Sequence, residues 1–248
     1  MLVVALAGCR PDTVAVSFRP KVGATYRYQI DVTADTTTTL EGQAPAHKVD
    51  HVELLEEQTV LAADASGVLV RVLVGQPGST AQAFVVRFDR SAQLTSIDTA
   101  EDASADLAGA LGVPEIFPGA AAAPDRRVGP GVRWATARQV RITAATGATT
   151  VRSTGHFLDF GLAGNAKVAR ISSTTTLPLR STTGTLALEG TEQIRQRVAY
   201  DVADGAVHEA SATTTGTFRV EVHPPAGTTA APVPGTLVVH VRSTTRRV

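Results

Sequence analysis

The chain has 248 residues, 23 basic and 23 acidic side chains, zero net charge and a single cysteine. It is long enough for one large all-β domain or two smaller lobes with ample core. The charge balance gives no electrostatic basis for nucleic-acid binding, no stretch approaches the roughly eighteen apolar residues of a transmembrane helix, and one cysteine cannot close an internal disulfide.

The N-terminus carries the most specific pattern. Residues 2–9, LVVALAGC, form a short apolar run that ends in small residues and the lone Cys9. Leu6-Ala7-Gly8-Cys9 resembles the lipobox of bacterial lipoproteins, in which small side chains fit a peptidase cleft and the thiol takes a diacylglyceryl group. The resemblance implies a truncated signal peptide over residues 1–8, acylation of Cys9, a polar tether over 9–17 and a membrane partner reached through the lipid anchor. Two or three acyl chains make a durable anchor where one binds marginally. Only Met1 precedes the apolar run, so translation is expected to begin upstream. The alternative is an apolar N-terminal strand with an inert cysteine. Lysine is confined to Lys21, Lys48 and Lys167, and the richness in Ala, Val, Gly and Thr reads as coding by a GC-rich bacterial genome.

Beyond the tether the dominant period is two. In TYRYQIDV, Tyr26, Tyr28, Ile30 and Val32 share one face, the pattern of a half-buried strand. His47 and His51 have metal-ligand spacing only if their segment is helical, and residues beside a turn are expected instead. Glu53, Glu56 and Glu57 flank Leu54 and Leu55 and read as an exposed strand edge. GVLVRVLV is apolar on both faces and reads as a central strand. The segments AADASGV, FDRSAQL and YDVADGAV read as hairpins, with Asp capping its own turn and Gly205 free to take positive φ. TAEDASADLAGALG has the signals of a helix near 99–111, with Thr99 as N-cap and a stop at Gly112 before Pro114.

Residues 119–126 form an Ala- and Pro-rich linker between a first β-rich half, 18–118, and a second, 127–248. Lys21 to Tyr28 is echoed by Arg127 to Trp134 at an offset of 106, and Phe88-Asp89 by Tyr200-Asp201 at 112, which points to a duplicated unit. In VRWATARQVRIT, Val132, Trp134, Val140 and Ile142 share a parity that Arg138 interrupts, so a bulge or strand end is expected there. Thr-rich runs at 36–39, 172–176 and 213–217 suit the solvated face of antiparallel strands. Residues 223–235 form a loop before a last strand.

No nucleophile elbow, phosphate loop, dinucleotide fingerprint or metal-ligand cluster is present, so no catalytic residue, cofactor or metal is assigned and the protein is expected not to be an enzyme. The lipobox, the tether, Phe18-x-Pro-Lys-Val-Gly-x-x-Tyr-x-Tyr28 and a second Val-Gly with Trp134 resemble uncharacterised secreted lipoproteins of GC-rich Gram-positive bacteria. More distantly the whole is similar to the half-barrels of periplasmic lipoprotein carriers and mycobacterial lipid-binding lipoproteins. The resemblance implies a hydrophobic ligand, against which Tyr26, Tyr28, Val132 and Trp134 would face; the alternative is an envelope scaffold in which the same residues fill a solid core. The expected fold is all-β and mainly antiparallel: two related halves forming a curved sheet, half-barrel or sandwich, with one short helix.

Overall fold

The structure, a computed structural model, describes residues 13–90, 94–101, 126–141, 148–183, 185–224 and 231–248. These residues form one antiparallel sheet of eleven strands: β1 (Thr25–Leu40), β2 (Ala46–Asp64), β3 (Gly67–Gly75), β4 (Gln82–Phe88), β5 (Leu94–Glu101), β6 (Arg133–Arg141), β7 (Ala148–Ala163), β8 (Ala166–Thr183), β9 (Leu186–Asp201), β10 (Val207–Val222) and β11 (Val233–Arg247). The strand order is β5-β4-β3-β2-β1-β11-β10-β9-β8-β7-β6, so chain neighbours pair except β5 with β6, and β1 joins the two halves by pairing with β11. The sheet curls without closing into a barrel. Its edge strands β5 and β6 approach within 8 Å between Cα atoms, yet they share no ladder.

Period-two patterning gives the sheet two unlike faces. On the inner face Ile30, Leu54, Val68, Val70, Val72, Val74, Val86 and Phe157 are fully or almost fully buried. β3 is central between β2 and β4, with Val68 to Val74 inward and Arg71 outward. A second buried group, Leu177, Ile194, Phe218 and Val220, lies on β8–β10 outside this main core. The Thr-rich runs all fall within strands, as their β-branching favours.

The start of the described chain is docked. Val14 exchanges two 2.8 Å backbone hydrogen bonds with Val128, the Phe18 amide donates to Arg90 O at 2.8 Å, and the Arg19 amide donates to Asp204 O. Val16 and Phe18 are buried, with the Phe18 ring 5.9 Å from Phe88 edge-on. Residues 13–17, expected to belong to a polar tether, therefore cap one end of the curled sheet, because Val14, Val16 and Phe18 alternate toward its core.

The two halves place like features at like strands. The Gly23 amide (φ 82°) donates to Val60 O and the Val60 amide to Ala24 O, both at 2.9 Å; Gly131 (φ 84°), Phe157 and Val132 repeat both bonds at 2.9 Å. A register shift follows Val60 in β2 and Phe157 in β7. Phe88 ends β4 and Tyr200-Asp201 ends β9. This geometry pairs Gly23 with Gly131, an offset of 108, so Trp134 takes the place of Tyr26; the sequence echo of 106 had set it against Tyr28.

One local expectation is corrected and another narrowed. Thr99, Ala100 and Glu101 belong to β5, where Thr99 pairs with Val85, so no helix begins at Thr99; the rest of the 99–111 segment lies outside the described residues. β6 keeps an unbroken register past Arg138, paired with Val151, and ends at Arg141, so of the two outcomes expected there the structure shows a nearby strand end and not a bulge. The linker 119–125 and Ile142 also lie outside the described residues.

Candidate functional site

The aromatic residues singled out from the sequence are packed. Tyr26, Tyr28 and Trp134 are 3%, 4% and 8% exposed, and Val132 is half-buried against the core. The Tyr26 hydroxyl donates to Asp204 Oδ2 at 2.8 Å, and the Arg247 guanidinium lies 4.8 Å over its ring while reaching Asp201 at 3.9 Å. Burial, then the Asp204 hydrogen bond, pushes the Tyr26 phenol well above its usual range. Burial does the same to Tyr28, helped by the charge of Glu56. Trp134 rests on Gly155, its cross-strand partner, where a Cβ would meet the indole at 2.2 Å. Cys9 lies outside the described residues.

Glu56 is the residue that sequence reasoning misplaced. Glu53 and Glu57 do face outward, receiving hydrogen bonds from Gln29 at 3.0 Å and Arg27 at 2.8 Å. Glu56 is in phase with Leu54 and so points inward, 3% exposed, beside Tyr28 on β1 and Val74 on β3. Gln58 donates to its Oε1, and Oε2 has no hydrogen-bond partner among the described residues. Burial raises its pKa to about 8, with the Gln58 bond opposing that rise. The available signal was parity: Val52, Leu54, Glu56 and Gln58 share one face of a strand.

The remaining polar candidates are structural. His47 and His51 sit on extended β2, four residues or about 13 Å apart, bonded to Asp35 at 2.8 Å and Thr33 at 3.2 Å. No group of three or more His, Cys, Asp or Glu among the described residues is placed to hold a metal. Asp64, Asp201 and Asp204 accept backbone amides of their own turns, and Gly205 has φ 75°. The Ser66 bonds hold Asp64 below the usual carboxylate range.

The outward face of β6–β11 carries a different arrangement. Register aligns Arg133, His156, Ser172, Arg197, Ser211 and Thr244 in one cross-strand row. The next row holds Thr154, Thr174, Arg195, Thr213 and Arg242, and the one after it Arg152 and His240. The first two rows line an open concavity of about 970 Å³ across β6–β10. A second, of about 870 Å³, continues it along β8–β11 past Thr176, Thr215 and His240. Arg133, Arg152, Arg195, Arg197 and Arg242 have no ion-pair or hydrogen-bond partner among the described residues. Sequence reading passed over this face, because its members come from six strands and no local window contains them.

No family model matches the chain, and no curated protein matches it. Among solved structures it is similar to OmpTdeltaL8, a loop L8 deletion mutant of OmpT, an outer membrane protein of Vibrio cholerae. The identity is 10%, the match covers 92% of this chain and 100% of the other, and the TM-score is 0.21, too low to carry a conclusion.

Proposed function

We propose that the protein is an extracytoplasmic lipoprotein, acylated at Cys9, that works by non-covalent binding through the outward face of β6–β11. The observation that carries this reading is the concavity across five strands, bordered by arginines that have no partners among the described residues. The use of Tyr26, Tyr28 and Trp134 as core favours a partner-binding or scaffold role over carriage of a hydrophobic ligand against those residues. Cys9 precedes the docked Thr13 by four residues, a reach of at most about 14 Å. Acyl chains at Cys9 would therefore hold the capped end close to the bilayer, with the long strands rising from it.

Two measurements test this. Metabolic labelling with a fatty-acid analogue is expected to mark the wild type and not Cys9→Ala; equal labelling would remove the anchor. Sedimentation of the purified lipoprotein with isolated cell envelopes is expected to fall in a Ser172→Trp/Thr213→Trp variant, whose indoles fill the concavity. Unchanged sedimentation by a variant of normal thermal stability would remove this face as the working surface.

A further inference from the structure

We propose that the outward face of β6–β11 is a groove for a flexible, hydroxyl-rich polymer bearing repeated anionic groups, a polyol phosphate or a carboxylated glycan. This rests on that face being the working surface and adds the chemistry of what it takes.

The charge placement is the first ground. The three outward rows from β6 to β11 comprise eighteen positions, which hold five arginines, two histidines, eight serines or threonines and no carboxylate. The whole chain has equal numbers of acidic and basic residues, so this face is a segregated patch and not a sample of a basic protein. The nearest carboxylates are engaged or lie at its rim. Asp159 holds Arg170 at 3.0 Å, Glu189, which lines the second concavity, faces Arg180 at 3.7 Å, Glu209 is opposite Arg246, and Asp35 on β1 is bonded to His47. Asp31 follows Thr244 on the first row. Arg195 and Arg197 are two positions apart on one strand face, about 7 Å, without a counter-charge between them. An arriving anion relieves that repulsion.

One small anion can engage Arg195 and Arg197 together but not the whole set of arginines. Arg133 and Arg197 are separated by three strand intervals, about 14 Å, and Arg242 lies two strands beyond Arg195. One phosphate or carboxylate cannot touch these groups together, whereas a chain with an anion in each repeat can contact them in turn. Such contacts are individually weak in water and become useful through multiplicity. The serines and threonines between the arginines offer donors and acceptors suited to polyol or sugar hydroxyls. Among the described residues the three rows hold no phenylalanine, tyrosine, tryptophan or branched aliphatic side chain of the kind that dominates protein interfaces, which argues against a protein partner.

The test uses the purified lipoprotein in detergent with defined probes: poly(glycerol phosphate), polygalacturonate, neutral dextran, oligothymidylate and anionic vesicles. The expected result is binding of poly(glycerol phosphate) or polygalacturonate, weakened about tenfold or more between about 50 and 300 mM salt and by Arg195→Gln/Arg197→Gln. Arg71→Gln, on the outward face of β3, is expected to bind as wild type. Which polymer binds identifies phosphate or carboxylate as the source of charge. Failure of both polymers, equal binding of dextran, preference for oligothymidylate or vesicles, or unchanged affinity in the double glutamine variant would overturn the proposal. Loss of envelope binding in the tryptophan variant but not in the glutamine variant would leave the working surface standing and remove the anionic class. Loss in neither would remove the working surface itself.

Discussion

Glu56 shows how one buried carboxyl ties stability to pH. Its folded pKa of about 8 lies above the ordinary 4.5, so the folded chain holds this proton more tightly than the unfolded one. The group's favourable contribution is full below about 4.5, declines as pH rises from there to about 8, and is level beyond. Glu56→Gln keeps the shape and cannot ionise. Its unfolding free energy is expected to fall less with pH than the wild type's, the two diverging by roughly 4 kcal/mol by pH 9. Parallel curves from denaturant titrations at pH 5, 7 and 9 would show that Glu56 is ionised at no cost. Tyr26 is a milder case: Tyr26→Phe leaves the Asp204 carboxylate without the 2.8 Å donor and should cost about 1–2 kcal/mol, measurable as a lowered denaturant midpoint.

At the scale of elements, close approach of aromatic rings to glycine fixes where strands sit. Trp134 covers Gly155 across the β6–β7 pair, and Phe218 covers Gly190 and Gly216 within β9–β10. Gly155→Ala puts a methyl into the indole position and is expected to destabilise by about 1–3 kcal/mol. Combining it with Trp134→Leu should recover part of that loss, and strict additivity in a double-mutant cycle would show that the ring does not depend on this glycine. Strand identity was legible at this scale because alternation survives in a single window: Val68 to Val74 and Tyr26 to Val32 declare their inner face directly. Turn chemistry was legible for the same reason, since Asp64 and Asp201 bond within two or three residues. The helix start was not. Thr99, with acids following it, has the local signals of an N-cap, but pairing with Val85 in β4 extends the backbone there, and a ladder partner fourteen residues away is invisible to capping rules.

At the scale of the molecule, the N-terminal segment closes the capped end by joining loops from both halves. Phe18 touches Phe88 and Tyr26, its backbone meets Arg90, and Gly205 approaches so near that a Cβ there would sit 2.2 Å from Ser17 O. Phe18→Ala is expected to cost about 3–5 kcal/mol and to expose Tyr26 to solvent. Native-state hydrogen exchange should then quicken at the ends of β1, β4 and β9 together; a change confined to β1 would mean that the segment does not bind the halves to each other. The same segment sets the distance between any acyl anchor on Cys9 and the sheet, and hence the side of the molecule left facing outward.

The sequence by itself determined the all-β class, the faces of individual strands, the hairpin turns and the order of like features in the two halves. Each depends on residues within reach of one another along the chain. Only the tertiary structure decided that the halves share a single curled sheet through β1 and β11, that Val14 to Phe18 cap it, and that Glu56 is interior. It also brought arginines from β6, β7, β9 and β11 into three adjacent cross-strand rows that hold no carboxylate. Those outcomes depend on cross-strand register between residues up to 219 positions apart, as Tyr28 and Arg247 are, where a shift of one residue would turn every side chain to the other face.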